Sequence, residues 1–160
     1  MSTQKKETEK NKVLPVSAIK NGTVIDHIIS ESTLKVLQLL KLRKIDGIIS
    51  VAYNLKSKSL GRKGIIKVEG KALSPREIRK IATIAPDSTL SVIEDYKVKE
   101  KRKLELPEEI ISVVRCKNPN CITNSERVRT NFKVESKNPI KLRCTFCERT
   151  MKYQDIEIKK

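Results

Sequence analysis

Four cysteines are the residues most ready to do chemistry in this chain: Cys116, Cys121, Cys144 and Cys147, all in the last third. They are spaced C-x4-C, then 22 residues, then C-x2-C. Two close pairs joined by a loop let four thiolates converge on one ion, the arrangement that structural zinc requires. Disulfides are the alternative, but a chain kept in a reducing compartment holds its thiols reduced. Asn118, Pro119 and Asn120 supply a tight turn inside the first pair. Because all four ligands are cysteines, no open coordination position remains for water or substrate. The zinc would be structural, and catalysis there is not expected.

A second group is less specific. His27 is the only histidine and follows Asp26 at the end of an apolar run. A lone histidine is more often a hydrogen-bonded structural residue, yet the pair offers an acceptor and a donor where the strand leaves its sheet. A nucleotide needs that mixture, acceptors for sugar hydroxyls and donors for phosphate oxygens. Lys67 lies among apolar neighbours in IIKVE and either snorkels to solvent or points at an anion. Lys101, Arg102 and Lys103 form a charge run that also reads as a solvated linker.

These residues need elements to position them. Residues 14–20 (LPVSAIK) read as a first strand, Asn21-Gly22 as a turn and 23–29 (TVIDHII) as a second strand. From Ser32 to Arg43, Leu34, Leu37 and Leu40 or Lys41 recur at helical spacing, with Val36, Leu39 and Leu42 widening the stripe. Residues 45–54 read as a strand, KSKSLGRKG as a basic loop and 65–69 as the next strand. Ser74-Pro75-Arg76-Glu77 is a capping box with proline at the first helical position, so a helix is expected to about Ala85, stopped by Pro86. Residues 89–98 read as the last strand of this part and 99–107 as a linker ending in Pro107.

The order from 23 to 98 is therefore β-α-β-β-α-β, a ferredoxin-like α+β arrangement with both helices on one sheet face and an extra N-terminal strand. Apolar runs at 110–114, 140–142 and 156–158 surround the cysteine pairs, which predicts a small all-β zinc-binding domain whose metal compensates for a small core. The expected division is a disordered basic tail over 1–12, a first domain over 13–103 and a zinc domain over 104–160.

Composition bounds the rest. The chain has 160 residues, no Trp, two Phe and three Tyr, so its cores are built from Ile, Leu and Val. No apolar run approaches the ~20 residues of a membrane span, and the start MSTQKKETEKNK lacks the apolar stretch of a signal peptide; a cytoplasmic location without membrane contact is expected. The net charge is +16, and residues 1–103 carry 23 Lys and Arg against 11 Asp and Glu. Such a field attracts polyanions, although a Lys- and Ile-rich composition also fits adaptation to high temperature. RNA-recognition modules share the ferredoxin-like order, but they stack bases on aromatics of the central strands. TVIDHII and GIIKVEG contain none, which weighs against nucleic acid as the partner.

The same residues carry a resemblance. VSAIKNGTVIDHI (16–28), GRKGIIKVEG (61–70), IAPDSTLSVIEDYKV (84–98), LPEEI (106–110), C-x-N-P-N-C-I-T-N and the later C-x-F-C resemble, in order, the regulatory chain of aspartate carbamoyltransferase. The resemblance implies a non-catalytic subunit of pyrimidine biosynthesis that binds CTP, ATP and in some cases UTP. It also implies a regulatory homodimer, docked through the zinc domain onto catalytic chains in a holoenzyme of catalytic trimers and regulatory dimers. On that resemblance Asp26 and Lys67 fall at ribose-contacting positions, and His27 and Lys101 at phosphate-contacting ones. Ala18-Ile19 and Tyr96-Lys97-Val98 would read the base, with Val16, Ile93 and Tyr96 lining the pocket and Lys63 near the triphosphate. Ser17 stands where the family usually carries glutamate and Ser91 where it carries asparagine, so base selectivity is open. Asn120 and Glu148 match positions at the contact with the catalytic chain.

Overall fold

The computed structural model describes residues 16–41 and 44–159. The expected tail over 1–12, Leu14 and Pro15 of the expected first strand, and Leu42 and Arg43 of the expected helix lie outside the described residues. In chain order the elements are β1 (Gly22–Ile29), a 3-10 turn (Ser30–Ser32), α1 (Thr33–Leu39), β2 (Ile49–Ser57), β3 (Gly61–Glu69), α2 (Pro75–Ile84), β4 (Thr89–Glu94) and β5 (Lys97–Lys103). There follow β6 (Glu109–Ile111), β7 (Val114–Arg115), α3 (Ile122–Ser125), β8 (Asn131–Lys137), β9 (Ile140–Cys144), β10 (Thr150–Lys152), a 3-10 turn (Tyr153–Asp155) and β11 (Glu157–Ile158).

The first sheet has the order β2-β3-β1-β4-β5, every neighbouring pair antiparallel. Its first four strands have the split βαβ order of a ferredoxin-like fold. The fifth strand is not the one expected: residues 16–20 form no strand, and the extra strand is β5, on the edge beyond β4. The stretch read as the start of a linker thus pairs with β4 through Lys103. The β4–β5 turn hides in the sequence because Asp95 and Tyr96, both at positive φ (48° and 63°), replace the Asn-Gly signal of such a hairpin. Likewise KSKSLGRKG is mostly strand, with only residues 58–60 between β2 and β3.

Strand alternation sorts the side chains. Ile25, Ile66 and Leu90 sit side by side in register and are buried with Val36 and Leu40 of the α1 region and Ile81 and Ile84 of α2. Val24, Lys67, Ser91 and Lys101 form the adjacent row and face the other way. The α1 stripe is rotated from the expected one: Thr33, Val36 and Leu40 are buried while Leu34 is half exposed. The 3-10 turn before α1 resets the register by which i, i+3 and i+7 meet the sheet. Gly64 permits the close approach, since a Cβ there would lie 1.9 Å from Thr33 Oγ1. The capping box forms as expected, with Glu77 N–H donating to Ser74 Oγ (3.3 Å) and Ser74 N–H to Glu77 Oε2 (2.9 Å).

The C-terminal part is a four-stranded sheet, β10-β9-β8-β6, with a separate β11–β7 pair and one short helix, around Phe132, Ile110, Leu142, Met151 and Val114. Its core and the first form one cluster, which includes the buried Leu104 and Leu106. Tyr153 fastens the two: its hydroxyl donates to the Ile84 carbonyl at 2.6 Å and accepts from the buried Ser32 hydroxyl, while Lys35 lies 5.1 Å over its ring.

Candidate functional site

Four separate backbone features deliver the cysteines. Cys116 follows β7, Cys121 precedes α3, Cys144 ends β9, and Cys147 lies in the turn leading to β10. Their sulfurs all lie within 4.8 Å of one another, with Cys116–Cys147 at 3.6 Å and Cys121–Cys144 at 3.8 Å. Tetrahedral zinc with Zn–S of about 2.3 Å places its sulfurs roughly 3.8 Å apart, so the donor set fits such an ion. All four thiols are free, which sets the disulfide alternative aside.

The surrounding polar groups hold the loops. Asn124 Nδ2 donates to the carbonyls of Cys116 (2.9 Å) and Asn118 (2.7 Å), Cys121 N–H donates to the Asn118 carbonyl (3.0 Å), and Thr123 Oγ1 lies 3.1 Å from Cys121 Sγ. Burial pushes the Cys116 thiol up to about 12. Burial also opposes ionisation of Cys147, but the N–H of Arg149, the Asn118 side chain and the adjoining thiols outweigh it and bring that thiol to about 7. Burial likewise pushes the Cys144 thiol up, so the site needs a cation to hold Cys116 and Cys144 as thiolates, and its closed coordination leaves no place for substrate. Thr123 and Asn124 stand in the motif C-x-N-P-N-C-I-T-N, but no role was read for them from the sequence.

The open face of the first sheet gathers the second set. A β-bulge between Ile25 and Ile28, with His27 at φ 57°, puts two residues of β1 opposite one of β3. It keeps both isoleucines in the core and releases Asp26 and His27 as consecutive polar residues. Asp26 Oδ1 accepts from Lys63 Nζ at 2.8 Å and from His27 N–H at 2.6 Å. Burial opposes its charge, yet Lys63 and the His27 N–H prevail and hold the carboxyl below its ordinary value. Nδ1 of His27 is buried without a hydrogen-bond partner and lies 3.6 Å from Asp26 Oδ2.

Lys67 pairs with no acid among the described residues: its ammonium donates to the carbonyls of Val16 (3.2 Å) and Ser17 (2.8 Å). It thereby ties the segment containing Ala18 and the buried Val16 and Ile19 to the sheet. Lys20 and Asn21 continue this strap, accepting from the N–H groups of Tyr96 (2.9 Å, at the Lys20 carbonyl) and Asp95 (3.0 Å, at Asn21 Oδ1). Ser91 and Lys101 are register partners in the row of Lys67, and buried Ile93 pairs with exposed Val98 beside the exposed Tyr96. One face, bounded by the strap and the β4–β5 turn, thus carries Lys63, Lys67 and Lys101, with Lys63 paired to Asp26. Lys103, paired with Thr89 in the row of Asp26, shares that face and escaped the sequence reading inside its charge run.

Asn120 and Glu148 are exposed residues flanking Cys121 and Cys147. Glu148 is at φ 59°, and the half-exposed Ile122 and Phe146 lie close to them in the sequence. The cysteine cluster thus brings together two loops that present mixed polar and apolar side chains outward. No helix among the described residues is long and apolar enough to cross a membrane.

Comparison with known proteins joins the two sites. Residues 14–105 match the family profile "aspartate carbamoyltransferase regulatory chain, allosteric domain", and residues 108–157 match the profile of that chain's metal binding domain. The chain is 57% identical over 140 residues to the aspartate carbamoyltransferase regulatory chain of Thermococcus sibiricus, covering 88% of this chain and 93% of the relative. It is 54% identical over 145 residues to that of Pyrococcus abyssi (89% and 95%) and 52% identical over 145 residues to that of Methanosphaera stadtmanae (90% and 95%).

Proposed function

The chain belongs to the family of aspartate carbamoyltransferase regulatory chains, and from that premise we propose that it binds CTP, ATP and UTP on the open face of its first sheet. It is a non-catalytic subunit with a metal-binding domain, and association with the catalytic chain follows from the family. The finer reading divides the work. Residues 13–103 hold the nucleotide, with Asp26 and Lys67 toward the ribose and His27 and Lys101 toward the phosphates. Residues 104–160 hold one structural zinc and present Asn120 and Glu148 to the catalytic chain. Regulatory chains pair as dimers beside catalytic trimers in the cytoplasm.

One observation carries the nucleotide reading: the bulge in β1 sets an acid and an imidazole side by side on a face bearing Lys63, Lys67, Lys101 and Lys103, at the rim of a backbone strap. Donors for phosphate, an acceptor for sugar hydroxyls and backbone groups for a base edge meet there. Allosteric control then requires the nucleotide to favour one quaternary state of the holoenzyme, since equal affinity for both would shift nothing. Tyr153, bonded to the Ile84 carbonyl at the end of α2, links the helix side of the first domain to the metal domain, and the buried Leu104 and Leu106 belong to the core that the two share.

Calorimetric titration of the full chain with CTP and ATP tests this. Lys101→Ala should weaken binding by about 1–3 kcal/mol, the worth of a charge-assisted hydrogen bond. Saturable binding indifferent to Lys101, Lys67 and His27 substitutions would remove the site. Tight, salt-sensitive RNA binding without nucleotide binding would remove the function.

A further inference from the structure

The Asp26 carboxylate is half closed. A carboxylate oxygen has two lone pairs, and Oδ1 already receives two donors, Lys63 Nζ at 2.8 Å and the His27 N–H at 2.6 Å. Among the described residues Oδ2 has only His27 Nδ1 at 3.6 Å, beyond hydrogen-bond range. The backbone donor is fixed by the bulge, whereas Lys63 is a flexible cation, so only Lys63 is able to leave. Asp26 is also the one carboxylate at ion-pair distance from Lys63 among the described residues. Both side chains are mostly shielded, at 20% and 27% exposed, so the pair is a built contact and not a fluctuating surface bridge.

A vicinal ribose diol gripped by a carboxylate donates to both oxygens. With Lys63 in place only Oδ2 is open, and a nucleoside must displace the ammonium while offering it nothing. A triphosphate carries several negative charges and competes for the same ammonium directly, on a face where Lys67 and Lys101 draw it in.

We propose that Lys63 is a specificity-determining switch: it caps Asp26 in the empty site and transfers to the incoming polyphosphate, which opens both Asp26 oxygens to the ribose diol. The inference rests on the nucleotide reading above and adds that phosphate recognition and ribose recognition are coupled through one side chain. The site thereby rejects nucleosides, and its preference for ribose over deoxyribose is expressed only when phosphates are present.

The test is calorimetry on the full chain with CTP, dCTP, cytidine and 2′-deoxycytidine, for the wild type, Lys63→Met and Lys101→Ala. Lys63→Met should weaken CTP by about tenfold or more, one charge-assisted hydrogen bond, yet tighten cytidine about threefold to tenfold and leave 2′-deoxycytidine unchanged. Lys101→Ala should weaken CTP without tightening cytidine. In the ligand-free chain, carboxyl NMR titration should find Asp26 below the ordinary carboxylate range in the wild type and back toward it in Lys63→Met. Cytidine binding that weakens or stays unchanged in Lys63→Met, or an Asp26 titration that ignores the substitution, would overturn the switch while leaving the nucleotide site in place. Failure of the wild type to bind CTP would instead overturn the site, and the switch with it.

Discussion

Stripping the metal from the four-cysteine cluster should unfold the C-terminal sheet and spare the first one. Outside β8 and β9, of seven and five residues, the strands there are short: β7 and β11 pair over two residues each, and β6 and β10 have three residues each. The loops carrying Cys116 and Cys121 and those carrying Cys144 and Cys147 meet at the sulfurs, 3.6 and 3.8 Å apart. Structural zinc in small domains supplies an apparent ~10–16 kcal/mol, as large as the ~5–15 kcal/mol net stability of a whole domain. Its loss cannot be absorbed by loosening alone. Hydrogen exchange read by mass spectrometry, before and after chelation, should show β8 and β9 amides losing protection while those of β1, β3 and α2 keep theirs. Adding one zinc per chain should restore the protection. Protected β8–β9 amides in a chain proven metal-free would refute the reasoning and reduce the cysteines to core packing.

Other expected outcomes follow from single contacts. Tyr153→Phe removes the hydroxyl shared by Ser32 and the Ile84 carbonyl and should cost about 1–3 kcal/mol in urea unfolding, because Ser32 stays buried without that partner. Lys67→Ala should unfasten residues 16–20, seen as faster amide exchange at Tyr96, whose N–H donates to Lys20, and should weaken CTP binding about tenfold or more. Burial opposes the charge on Glu77, but Lys71 and Ser74 outweigh it and hold the carboxyl below its ordinary 4.5. A depressed folded value stabilises above the unfolded one and is lost as pH falls through it, so the urea midpoint should drop between about pH 5 and pH 3, and less so in Glu77→Gln. Ser74→Ala should cost about 1 kcal/mol at neutral pH.

Where sequence reading succeeded, the signal was local. The capping box at Ser74–Glu77 and the cysteine spacing are short patterns whose geometry the backbone nearly dictates, and both form as read. The β-α-β-β-α-β order was legible because each strand alternates once its bulge is allowed for. What escaped was non-local or locally atypical. Asp95-Tyr96 turns the chain with two left-handed residues that no Gly announces, so β5 read as linker. Leu34 has helical spacing but faces outward, because the preceding 3-10 turn sets the rotation of α1. Lys67 read as either a solvated or an anion-facing side chain. Its engagement with Val16 and Ser17 joins residues about 50 apart, which no pattern in IIKVE encodes. Residues 16–20 looked like a strand by composition, yet the edge beside β4 is taken by β5.

The central claim is that this chain carries nucleotide information to a catalytic partner. The direct measurement reconstitutes it with catalytic chains of aspartate carbamoyltransferase and follows carbamoyl aspartate formation against aspartate concentration, with and without CTP and ATP. The account predicts that nucleotides displace the saturation curve only when this chain is present with its metal, and that Lys101→Ala blunts the displacement while assembly persists. Curves that superimpose with and without nucleotide, in an assembled and metal-loaded complex, would contradict it.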